Sequence, residues 1–203
     1  MKIICVGRNY VAHAKELNSE VPQEPVLFMK PESAITQVKS YRIPRFTKNL
    51  HYETEIVLKI NRFGHYIPQS EANSYFDTIA LGIDFTARDL QNECIKKGLP
   101  WEKAKAFDDS AMISKFIAKD KLGDINALNF SLERDGKVVQ QGNTQDMIFG
   151  FDELIAHISQ YFSLDAGDLI FTGTPVGVNH VSPEEKYRGF IEKELMLDFE
   201  IEK

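Results

Sequence analysis

The chain is poor in cysteine, in long apolar runs and in positive charge, and each shortage excludes something. Only Cys5 and Cys94 occur in 203 residues, too few for a disulfide framework or a cysteine-rich zinc site. They read as unpaired, inert thiols of a reducing compartment. No apolar stretch approaches the ~20 residues of a membrane-spanning helix. The short apolar run within Met1–Tyr10 does not read as a signal peptide, so a cytoplasmic protein with no membrane partner is expected. The net charge is −6, and the cations are scattered apart from a short cluster at Lys96, Lys97, Lys103 and Lys105. That balance argues against a nucleic-acid partner, which needs a basic footprint. There is no P-loop and no G-x-G-x-x-G, hence no support for a nucleotide cofactor. No G-x-S-x-G elbow is present, and neither cysteine neighbours a histidine in sequence.

What remains is an ordinary globular composition, 43% hydrophobic and 27% charged, without repeats or low-complexity linkers and of a length suited to one domain over residues 1–203. KIICVG reads as a short buried strand ending at Gly7. NYVAHAKEL, with Ala12, His13, Ala14 and Leu17, has helical composition but a poor apolar stripe, so a loosely held helix is expected. EPVLFMKP suggests a buried strand between prolines, and HYETEIVLKI an amphipathic strand that turns apolar. Ser70 is a candidate N-cap for a helix leading into a strand that reaches Asp84. TARDLQNECIKKG reads as a helix stopped by Gly98. Asp135-Gly136 marks a hairpin turn. FDELIAHISQYFSL reads as a helix with Leu154, Ile155, Ile158, Tyr161 and Phe162 on one side. DLIFTGTP and ELMLDFEIEK supply later strands. Strands dominate without regular alternation with helices, which predicts an α+β, mostly β fold rather than a Rossmann or barrel pattern.

The chemistry begins at Glu53 and Glu55. A strand has a side-chain period of two, so both carboxylates point to one face. Adjacent carboxylates repel unless a cation lies between them. With Asp84 at the end of another apolar run, the economical occupant is a hard divalent ion, Mg²⁺ or Mn²⁺. An E-x-E pair alone is more often a solvent-facing strand edge, so the case rests on the neighbours. His13 and Glu16, three apart on a helix, share a face. Such pairs are ordinarily surface pairs, but a carboxylate on Nδ1 also fixes an imidazole as a general base. Arg88 and Gln91 repeat that spacing just after Asp84. Lys105 follows Gly98-Leu99-Pro100-Trp101 in what reads as a loop, and Lys30 sits between an apolar strand and Pro31. Thr172 and Thr174 flank Gly173 at a strand end, a common place for an anion contact. His51 is read as structural. Three carboxylates and one divalent ion leave a site near −1. Arg88, Lys105 and Lys30 would make it positive and suited to a small anionic substrate with carboxylate and keto oxygens.

GRNYxxHxxE at Gly7–Glu16, EPVLFMKP at Glu24–Pro31, HxExE at His51–Glu55, D-x-T-A-R-D-x-Q at Asp84–Gln91, KGLPWxxAKxFD at Lys97–Asp108 and FTGTPxGV at Phe171–Val178 together resemble the fumarylacetoacetate hydrolase family. Within it the chain is most similar to the short acylpyruvate hydrolase and oxaloacetate decarboxylase branch. The resemblance implies a mixed β-sandwich roll, a homodimer, and Mg²⁺ or Mn²⁺ held by Glu53, Glu55 and Asp84. It also implies a His13–Glu16 dyad on a lid segment and Lys105 as the residue that polarises the substrate. Arg88 and Gln91 would be its neighbours, and Thr174 would meet the substrate carboxylate. The expected activity is carbon–carbon cleavage of 2,4-diketo acids and decarboxylation of oxaloacetate, through a stabilised pyruvate enolate. The alternative is an isomerase or tautomerase of a 2-oxo-diacid, of the 2-hydroxyhepta-2,4-diene-1,7-dioate isomerase type. The chain departs from the pattern after Gly177, where Val178-Asn179-His180 lead into a charged tail, and at Val176, where a lysine is common.

Overall fold

Alternating side chains along the central strands give one sheet two different faces. In the computed structural model, which describes residues 1–16 and 20–203, the largest sheet has eight strands. Seven run in the order Val26–Lys30, Ile3–Gly7, Leu169–Phe171, Thr54–Ile60, Phe76–Asp84, Ala111–Ile113, Ile35–Thr36, and Ile117–Ala118 pairs beside Phe76–Asp84. It is mixed: Ile3–Gly7 runs parallel to Leu169–Phe171, and Thr54–Ile60 antiparallel to Phe76–Asp84. A five-stranded sheet carries the hairpin Asn129–Arg134/Lys137–Asn143. Its turn residues Asp135 and Gly136 both have positive φ, 50° and 76°, as a two-residue hairpin loop demands. A third, small sheet joins Asn179–His180, Leu50–Tyr52 and Thr86–Ala87.

One face of the large sheet presents Ile4, Val6, Ile56, Leu58, Ile79, Leu81 and Ile170 to the main core, which also takes in Phe130, Leu132, Tyr187 and Phe199 of the second sheet and the helix Phe151–Tyr161. The alternate residues Ile3, Cys5, Val57, Ala80, Leu169 and Phe171 form a smaller cluster on the opposite face. Glu55 and Glu53 continue the row begun by Val57, and Gly82 and Asp84 the row begun by Ala80, because each is two residues further on. The carboxylates thus replace apolar side chains at one end of the second face. Gly82 pairs with Glu55 across the ladder, and a Cβ there would come within 2.6 Å of the Phe171 ring.

Several expectations are corrected. HYETEIVLKI forms two strands, Leu50–Tyr52 and Thr54–Ile60, divided at Glu53, and from Thr54 to Ile60 only Lys59 is exposed. It is not amphipathic, because material packs on both faces. Val26–Lys30 is half-buried up to Lys30, since it is the edge strand. The helix expected at Ser70 spans Gln69–Ala72 with Pro68 as its N-cap. Lys105 closes a short helix, Glu102–Lys105, rather than lying in a loop. Tyr161 is 60% exposed at the end of its helix. The first helix covers Val11–Glu16 with His13 and Ala14 buried; Leu17, assigned to it from sequence, lies outside the described residues. The helix Arg88–Lys97 ends as expected at Gly98, with φ 63°. No described helix is long and apolar enough to cross a membrane.

Candidate active site

Glu53, Glu55 and Asp84 are buried, and each offers an oxygen within 4.8 Å of the other two. The ladder fixes this: the Asp84 amide donates to the Glu53 carbonyl at 2.8 Å, so the strand end and the strand break move as one. Three cations surround the triad. Lys105 Nζ donates to Glu53 Oε2 at 2.7 Å, Asp84 Oδ2 at 2.6 Å and Thr86 Oγ1 at 2.6 Å. Arg88 donates to Glu53 Oε1 and to Gln91 Oε1. Lys30 Nζ lies 2.8 Å from Asp84 Oδ1.

The charges are unevenly distributed among the carboxylates. Burial raises the Glu53 pKa, but Lys105 and Arg88 overcome that and hold it well below the usual carboxylate range. Among the described residues Glu55 has no ion-pair partner; burial, then the Asp84 and Glu53 charges, outweigh the more distant Lys105 and push its pKa well above the ordinary value. The Gly173 amide donates to its Oε2 at 2.8 Å. Asp84 Oδ1 is buried and faces the Lys30 ammonium without an aligned hydrogen bond. A buried carboxylate without an ion-pair partner, within 4.8 Å of two others, fits a divalent cation, whose ligands are hard oxygens. Burial opposes the Lys105 ammonium, yet Asp84 and Glu53 outweigh it and its pKa is raised.

A cavity of about 500 Å³ opens over the triad, lined among others by His13, Arg88, Gln91, Lys105 and Thr174. His13 Nδ1 is 3.0 Å from Glu16 Oε2, and Glu16 Oε1 accepts the Gly177 amide at 3.0 Å. Thr174 Oγ1 donates to the Thr54 carbonyl at 2.9 Å and accepts from Gln140 Nε2 at 2.7 Å.

The structure therefore gathers nine of the eleven sequence-derived residues at or beside the cavity, and places Thr172 and Lys30 differently. The Lys30 side chain is fully buried behind Asp84, bonded to the Lys105 carbonyl and to Ser110 Oγ at 2.9 Å, so it supports the wall rather than meeting a substrate. Thr172 likewise turns inward onto the Ile56 carbonyl, and the Gly173 amide goes to Glu55 rather than to an exogenous anion. His51 is half-buried; burial and then the Arg88 charge push its pKa down to about 4, so it stays neutral. Cys5 and Cys94 are free and buried.

Two supporting residues escaped the sequence reading. Asn9, fully buried, donates to the carbonyls of Phe149 at 3.0 Å and Thr172 at 2.8 Å and accepts the Phe149 amide at 2.8 Å. Gly173, with φ 100°, leaves room for it: a Cβ there would come within 2.7 Å of the Asn9 Cβ. Gln140 holds Thr174 and accepts the Thr54 amide at 3.0 Å. Its pairing with buried Leu132 across the hairpin was the available signal, a polar side chain in a core-facing register.

Fold and site together define a strand-rich class of enzymes with a buried carboxylate triad able to hold a divalent ion. The fumarylacetoacetate (FAA) hydrolase C-terminal family matches residues 2–202, and the chain belongs to it. It is 42% identical over 202 residues to the oxaloacetate tautomerase FAHD1, mitochondrial, of Rattus norvegicus, covering 99% of this chain and 91% of that one. It is 42% identical over 184 residues to the mitochondrial oxaloacetate decarboxylase of Dictyostelium discoideum, covering 90% and 84%. The crystal structure of fumarylpyruvate hydrolase from Pseudomonas aeruginosa in complex with Mn²⁺ and pyruvate superposes with a TM-score of 0.95 at 36% identity, over 100% of this chain and 89% of that one.

Proposed function

We propose that the protein is a Mg²⁺- or Mn²⁺-dependent enzyme of small 2-oxo acids that works through a substrate enolate, cleaving acylpyruvates and decarboxylating oxaloacetate. The observation that carries this reading is the triad, its oxygens within 4.8 Å of one another, with a buried ammonium on two members and an imidazole–carboxylate pair on the same cavity. Glu53, Glu55 and Asp84 would hold the cation, which would supply Lewis acidity toward the carboxylate and 2-oxo oxygens and so stabilise enolate charge.

The chain's own groups do the rest. Glu16 on Nδ1 leaves His13 Nε2 free to take a proton from water, which attacks the distal carbonyl of a 2,4-dioxo acid. Gln91 would donate to the oxyanion so formed, and the charge of the Lys105 ammonium would stabilise it. Collapse breaks the C–C bond and releases a carboxylic acid and the enolate of pyruvate, which a proton converts to pyruvate. Oxaloacetate decarboxylation needs the same enolate stabilisation without the water. Thr174, fixed by Gln140, would orient the substrate carboxylate.

A second reading, tautomerisation of a 2-oxo-diacid, is favoured by the tautomerase relative. It needs the enolate and a proton carrier but breaks no carbon–carbon bond. Pyruvate release from acetylpyruvate and from oxaloacetate, followed beside enol absorbance with Mg²⁺ or Mn²⁺ present, separates the two. Pyruvate supports cleavage, loss of enol without pyruvate supports tautomerisation, and neither signal overturns both.

A further inference from the structure

The rim of the cavity carries a cation that the proposed chemistry does not use. Arg8 follows the strand Ile3–Gly7 with φ 61°, the left-handed region that residues with a bulky side chain adopt only when their surroundings impose it. Asn9 imposes it here: its fully buried side chain makes three hydrogen bonds, and its carbonyl accepts the Ile148 amide at 2.8 Å. Arg8 lines the cavity beside Trp101, its guanidinium 6.0 Å from the centre of the indole ring, a cation–π distance. Trp101 is itself packed against Phe28 at 6.0 Å between centroids. No ion pair joins Arg8 to a described residue.

Exposure divides the cavity. The triad, His13, Lys105 and Thr174 are buried, whereas Asn92, Ile95, Lys96 and Glu20 are exposed, and Arg8 and Trp101 are half-buried between them. Arg8, Lys96 and Glu20 all line the outer part of the cavity, which leaves an excess of positive charge there. A 2-oxo acid whose carboxylate and oxo groups sit over the triad must extend its remaining end outward, past Arg8.

We infer that Arg8 is a specificity-determining residue that recognises a second, distal carboxylate, so that the preferred substrates are 2-oxo-diacids rather than acylpyruvates with an uncharged tail. The inference rests on the functional reading above and narrows its substrate class. A planar guanidinium held in advance suits a carboxylate, and its ring partner restrains it without neutralising its charge.

Two unreactive ligands test it in the Mn²⁺-loaded protein: malate, with a distal carboxylate, and 2-hydroxybutyrate, without one. Titration calorimetry should show malate binding the wild type tighter by about 10- to 100-fold, the range of a charge-assisted hydrogen bond. Arg8→Asn and Arg8→Gly both tolerate positive φ and should reduce that ratio to about twofold or less, with 2-hydroxybutyrate binding and melting temperature unchanged. Arg8→Lys should restore part of the ratio. An unchanged malate preference in the variants, or equal losses for both ligands, would overturn the role of Arg8. Failure of the wild type to turn over either oxaloacetate or acetylpyruvate would instead overturn the functional reading, while the ligand ratio still decides Arg8.

Discussion

Lys30 and Lys105 hold one carboxylate from opposite sides: the Lys30 ammonium is 2.8 Å from Asp84 Oδ1, and the Lys105 ammonium 2.6 Å from Oδ2. Lys30 is sealed in the protein, whereas Lys105 lines the cavity. The same charge on two sides of one group thus serves two different ends.

Lys30→Met should be the more damaging change to the fold. It strips Asp84 Oδ1, the Lys105 carbonyl and Ser110 of their shared partner. Breaking a buried ion pair costs about 3–5 kcal/mol, which for a chain of this length is a fall in melting temperature of roughly 6–20 °C. Differential scanning calorimetry checks it; a melting point within about 2 °C of wild type would mean that the ammonium contributes nothing net.

Glu55 should make the metal-free protein sensitive to alkali. Its pKa is raised on folding by burial and by Asp84 and Glu53, so the folded state binds the proton more tightly than the unfolded chain. That stabilisation is complete below the unfolded carboxylate value of about 4.3 and is lost as pH rises through the higher folded value. Melting temperature in chelator should therefore fall from pH 5 to pH 8. Added Mg²⁺ or Mn²⁺ should raise it most at the alkaline end, because a ligand carboxylate must be deprotonated. Glu55→Gln should flatten the metal-free profile and abolish the cation response. A cation response of wild-type size in this variant would exclude Glu55 as a ligand.

His13→Ala should separate the two cleavage reactions. Acylpyruvate hydrolysis is expected to fall by roughly 10²–10⁴, the usual contribution of a general base. Oxaloacetate decarboxylation, which has no attacking water, should fall far less. Equal losses would assign His13 to substrate binding or to closure of the cavity instead.

Lys105→Met should lower both reactions together. Its ammonium lies on two members of the triad, where negative charge common to the two reactions would develop. Parallel rate measurements with acetylpyruvate and oxaloacetate decide this, and selective loss of one activity would contradict it.

What the sequence made legible was local. The two-residue period put Glu53 and Glu55 on one face, the i,i+3 spacing brought His13 onto Glu16, and Gly98 and Asp135-Gly136 ended and turned the chain where their backbone freedom allows. What it hid was set by partners far away in the chain. Lys30 meets Ser110 eighty residues on, and Asn9 meets Phe149 across 140, distances at which no periodicity speaks. Tyr161 fits an apolar stripe but falls in the last turn, beyond the core. The strand Thr54–Ile60 looked one-sided because nothing local announces a second packing layer.

Glu16 joins two distant parts of the chain, with one oxygen on His13 and the other on the Gly177 amide. The orientation of the imidazole is therefore conditional on the helix Val11–Glu16 being seated against the turn after Phe171. A molecule with that helix displaced would keep its acidic triad and both lysines, yet lack an aligned base. Water entering an open cavity would then meet no group ready to activate it, so under the proposed mechanism hydrolysis would be confined to the assembled state by the same carboxylate that orients the base.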